Sequence, residues 1–123
     1  MQWIDEVVRK FGQTMGLQLP SLTAAGQVSL DFEKKGQFFL ELTEDGVLLY
    51  LARPFPAYQR DVALRALTQC HYRSQGPQTF YPAMRKGDTL VYLTHVSFRE
   101  FNLPLIERSL SQLDRMLRKT LAA

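Results

Sequence analysis

The chain has 123 residues, 46% of them hydrophobic, a net charge of +3 and a pI near 9.2. That length suits one domain, and the apolar fraction excludes a disordered segment. The basic excess is too small and too scattered, at Arg9-Lys10, Lys34-Lys35 and Arg115 to Lys119, to name nucleic acid as a partner.

The single cysteine, Cys70, has no internal disulfide partner, which fits a reducing compartment. The start Met1-Gln2-Trp3-Ile4-Asp5-Glu6 is acidic where a signal peptide would be basic. No apolar run reaches the length of a membrane span. The expected location is cytoplasmic, which is compatible with a place beside a membrane machine.

In chain order, Trp3, Val7, Phe11 and Met15 recur at fourfold spacing, widened by Ile4 and Val8, and predict a helix over 2–15. Gly16 and Pro20 end it. Residues 21–27 read as turn. Val28, Leu30 and Phe32 alternate with polar residues as in a half-buried strand. A reversal at 33–36 leads to a strand over 38–42, and Asp45-Gly46 signals a hairpin into a strand over 47–52. These three strands form an antiparallel meander.

Pro54 and Pro56 are read as opening a second helix that runs to Tyr72. Strands follow over 79–84 and 89–96, around Lys86-Gly87-Asp88. Pro82 lacks an amide donor, which puts its strand at a sheet edge. A third helix spans about 103–121. The order of elements is helix, three strands, helix, two strands, helix. It defines a single α+β domain over 1–123, with a twisted, mainly antiparallel sheet and packed helices.

No chemistry assembles. Cys70 and His71 diverge around a helix, His95 is remote, and no metal-ligand spacing, P-loop or paired carboxylates occur. The chain reads as a non-enzyme with no metal and no cofactor. The aromatic strand from Lys35 to Leu42 is similar to part of an RNA-recognition sheet, but the order of elements is wrong for that fold. A nucleic-acid module is therefore a rival reading.

The strands over 38–42 and 47–52 are apolar on both faces. Either a helix or partner covers the second face, or that face is a groove for an apolar segment. The candidate groove residues are Ile4, Val8, Phe11, Leu30, Phe32, Phe39 and Leu40, with Phe39 favoured because it opposes Phe38, Leu40 and Leu42. A dimer interface is expected from Arg60, Leu64, Leu67, His71 and Tyr72 of the second helix, extended by Phe80 and Met84.

The element order, with Trp3-Ile4, Tyr50-Leu51-Ala52-Arg53, Ala66-Leu67-Thr68, Leu103-Pro104-Leu105-Ile106 and Gln112-Leu113, resembles the class I chaperones of bacterial type III secretion (the Tir-chaperone family), and the SycN type among them. The resemblance spans nearly the whole chain. One departure is charge, since these chaperones are usually acidic. The resemblance implies a cytosolic, non-enzymatic protein that dimerises with itself or with a second small chaperone. It also implies binding of an extended N-terminal segment of a secreted gatekeeper or effector, with neither nucleic acid nor membrane insertion involved. A structural or regulatory subunit of the same apparatus is the alternative.

Overall fold

The computed structural model describes residues 2–56, 61–73 and 78–121. Its elements in chain order are α1 (Gln2–Thr14), α2 (Leu22–Ala25), β1 (Gln27–Phe32), β2 (Gly36–Leu42) and β3 (Gly46–Pro54). After these come α3 (Val62–Arg73), β4 (Phe80–Arg85), β5 (Thr89–Ser97), a 3₁₀ turn (Phe98–Glu100) and α4 (Leu103–Leu121).

The strands form one antiparallel sheet in the order β1-β2-β3-β5-β4. The predicted meander is β1-β2-β3, and Pro82 lies on edge strand β4, where its missing N–H interrupts no central ladder. At the β1–β2 reversal Gly36 has φ 108°, and an added Cβ would sit 2.2 Å from the Ala52 carbonyl oxygen. Only glycine allows β3 to approach there.

One sheet face carries the core. Val28 and Leu30, Phe38 and Leu40, Val47, Leu49 and Leu51, and Leu90 and Tyr92 all point inward and are buried. From the helical side come Ile4, Val8 and Phe11 of α1 and Ile106, Leu113 and Met116 of α4. The Phe11 and Phe38 rings meet edge-on at 5.9 Å. A latch ties the helical layer to the sheet, with Arg53 of β3 donating to Asp114 of α4 and to the Lys35 carbonyl.

Two expectations are corrected. Residues 22–25 form a short helix rather than a turn, capped by Ser21, whose Oγ accepts from Ala24 N, and by Gly26 at φ 80°. Asp5 braces it, accepting from Ser21 Oγ, Thr23 N and Thr23 Oγ1. Pro54 ends β3 opposite Thr89 and does not open the next helix, which begins at Val62. A proline is tolerated at a strand end, where the lost donor interrupts little.

Candidate functional site

The helices pack on one side of the sheet only, so among the described residues no helix covers the other face. Strand register defines that open face. Phe39 stands opposite Tyr50, Glu41 opposite Leu48, Leu48 opposite His95, Tyr50 opposite Leu93, Ala52 opposite Val91, and Tyr81 opposite Leu93. Phe39 and Tyr50 pack with ring centroids 4.7 Å apart, and the Arg85 guanidinium lies 5.9 Å from the Phe39 ring.

Polar groups hold Tyr50 in place. Its hydroxyl donates to Glu41 Oε1 at 3.0 Å and accepts from Gln27 Nε2 at 2.6 Å. Burial, and then the Glu41 carboxylate, raise the Tyr50 pKa above its ordinary value, so the phenol stays a neutral donor. Beside this network Leu48, Tyr50, Val91 and Leu93 floor an open hollow of about 320 Å³, with Glu41 and Arg85 among its lining. Tyr81 next to it is 52% exposed.

Most of the expected groove residues lie elsewhere. Ile4, Val8, Phe11 and Leu40 are at most 1% exposed. They are sealed between the helices and the inner sheet face, so they present no surface to a second chain. Leu30 is buried on the same inner face, and half-buried Phe32 follows it, with Lys35 Nζ 5.8 Å from the ring centroid. Of the groove set only Phe39 belongs to the open face, where it is 6% exposed and packed against Tyr50 and Arg85. The exposed apolar residue of α1 is Trp3, packed edge-on against Phe98 and Phe101.

Sequence reasoning missed Val91 and Leu93, because β5 is a near-continuous apolar run whose two faces look alike. Leu48 and Tyr50 were legible as opposing Val47, Leu49 and Leu51, which was the available signal.

A second apolar surface lies on α3. Leu64 and Leu67, three residues apart, are 68% and 60% exposed, and Met84 of β4 is 40% exposed. Between α3 and β4 a hollow of about 170 Å³ is lined by Ala63, Ala66, Leu67, Pro82 and Met84. Phe80, expected to extend this patch, is instead 6% exposed and packs into the chain's own core. An inward position on β4 near α3 explains the difference. Arg60 lies outside the described residues. The His71 and Tyr72 backbones lie in α3, but their side chains are outside the described set.

Cys70 is a buried thiol that desolvation pushes up to about 11, so it remains protonated and unreactive near neutral pH. His95 Nε2 lies 3.0 Å from Thr43 Oγ1 and 3.1 Å from Asp45 Oδ1. Among the described residues no three His, Cys, Asp or Glu side chains come together as a metal would need, and no helix is long and apolar enough to cross a membrane.

A five-stranded antiparallel sheet with helices packed on it is the α+β fold of type III secretion chaperones. The family model described as type III secretory system chaperone SycN matches residues 3–121, and the chain belongs to that family. Its members are binding proteins without catalytic activity.

The structure of the Yersinia pestis chaperone SycH in complex with a stable fragment of YscM2 contains a similar chain, with a TM-score of 0.64 and 14% identity. The match covers 96% of this chain and 98% of that one. The HopA1–SchA chaperone–effector complex contains another, with a TM-score of 0.72, 11% identity and coverage of 96% and 92%. A third lies in the heterodimeric ExoU–SpcU complex of Pseudomonas aeruginosa, with a TM-score of 0.53, 16% identity and coverage of 89% and 96%. At these identities the likeness is one of fold. Among curated proteins none matches significantly.

Proposed function

We propose that this chain is a cytoplasmic chaperone that holds an extended N-terminal segment of a secreted gatekeeper or effector, keeping it unfolded for export. The segment lies on the open sheet face, and the α3 ridge joins the chain to a second small chaperone. The observation that supports this most is the apolar floor of Leu48, Tyr50, Val91 and Leu93 on a face that the helices leave bare. A sheet face meant for water alone is polar. An extended segment gains there by burying alternate side chains, and needs no fold of its own.

Two complexes among the similar structures, a chaperone with a stable fragment of YscM2 and a chaperone–effector complex, support the same reading by analogy. The acidic side chains Asp31 and Glu41 on this face disfavour phosphate, and with it the nucleic-acid alternative.

The test is co-purification of the assembled chaperone with the N-terminal segment of a protein secreted by the same cells. The segment should stay bound, lack stable secondary structure and resist protease only where it is covered. Release of the segment, with the chaperone still bound to apparatus components, would favour a structural or regulatory subunit instead.

A further inference from the structure

The chain is basic overall, yet its open sheet face is not. The ionisable side chains on the strands of that face are Asp31, Glu41, Arg85 and His95. At the end where β2 turns into β3 and β5 runs out, Glu44, Asp45 and Glu100 are exposed, against Arg99 among the described residues. The opposite end is nearly balanced, with Lys34, Lys35 and Lys86 facing Glu33 and Asp88. Exposed positive charge gathers on the far side of the molecule, on α4, at Arg108, Arg115, Arg118 and Lys119.

The acidic end of the face has a recess of its own. A second hollow of about 330 Å³ is lined by Gln78, Tyr81, His95, Ser97 and Glu100, and Asp45, outside that lining, lies 3.1 Å from His95 Nε2. Tyr81, which lines this polar hollow, pairs across β4 and β5 with Leu93, which lines the apolar one. From Leu93 to Ser97 an extended chain advances about 13 Å, which is four residues, and positions an even number apart face the same way.

We infer that the polar hollow is a specificity subsite for a cationic side chain. A client segment lies extended along β5, with an apolar side chain over Val91 and Leu93 and a lysine or arginine four residues away, beside Glu100. Charge complementarity selects the occupant: a positive side chain meets the Glu100 carboxylate, whereas an acidic one meets like charge. The inference rests on the reading of the open face as the client site.

The probe is a set of fluorescent twelve-residue peptides with a Leu-x-Val anchor in a Gly/Ser background. They carry Lys at two, four or six positions from the anchor, or Glu at four, and are titrated against the assembled chaperone. Lysine at four should bind tightest, about fivefold above glutamate at the same place, the scale of one partly exposed charge pair. Glu100→Gln should erase the preference, and Glu100→Lys should reverse it. Equal binding of the Lys and Glu peptides, together with loss of all binding in Leu93→Ser, overturns the charge subsite and leaves the client face standing. Binding of every peptide unaffected by Leu93→Ser overturns both.

Discussion

Leu67→Asp is the sharpest probe of the α3 ridge. Leu67 and its neighbour Leu64 expose 60% and 68% of their surface in the isolated chain, so each has that fraction left to bury against a partner. Covering it is worth about 1.5 kcal/mol per leucine, from the transfer energy of a whole leucine side chain. Replacing Leu67 by aspartate forfeits one such term and leaves a carboxylate in the desolvated centre, a further cost of about 1–3 kcal/mol. The total of about 3 kcal/mol weakens the dimer about 150-fold. The same residue touches little of its own chain, so folding stability should move by only about 0.5 kcal/mol. Sedimentation velocity of the assembled protein from nanomolar to micromolar concentration reads the dissociation constant, and urea denaturation checks the fold. A folded variant with an unchanged dimer mass at low micromolar concentration would refute the placement of the interface on α3.

Three further outcomes follow from the geometry. Asp114→Asn weakens the latch to Arg53, whose side chain is only 17% exposed, and should cost about 2–3 kcal/mol by urea denaturation, toward the low end of breaking a buried pair; a loss within error would show that the Lys35 carbonyl alone satisfies the guanidinium. The Thr23 hydroxyl, donating to the Asp5 carboxylate, holds its pKa below the ordinary aspartate value of 3.8. Its contribution to stability is therefore present above that value and lost as pH falls through the folded value, so Asp5→Asn should flatten the acid limb of a pH–stability curve, whereas an unchanged limb would remove Asp5 from it. Cys70, with its pKa pushed up to about 11, should alkylate slowly in the folded protein at pH 8 and rapidly in urea, and Cys70→Ala should leave client binding intact; rapid labelling of the native protein would contradict its burial.

The strands, α1 and α4 were legible because period-2 and period-3.6 patterns survive without tertiary information. The short helix α2 was not, although Ser21, Thr23 and Gly26 are cap residues, because one turn of helix has no periodicity to read. Pro54 was ambiguous in principle, since a strand end and a first helical turn both accept proline. The site was harder to read. Ile4, Val8, Phe11 and Leu40 looked like surplus apolar groups because one sheet face seemed to need few of them. In the fold, α1 and α4 bring a whole second layer that consumes them. Phe39 was identified through strand alternation alone. Val91 and Leu93 share its face but come from β5, which β2 meets only through β3, a long-range arrangement that no local pattern encodes.

Site-specific photo-cross-linking tests the central claim most directly. A benzophenone side chain at position 93, on the open sheet face, and another at position 108, on the outer side of α4, are placed in the assembled chaperone bound to its client segment. The account predicts cross-links to the client from position 93 and none from position 108. Cross-links from position 108 alone would place the client on the helical side and contradict it.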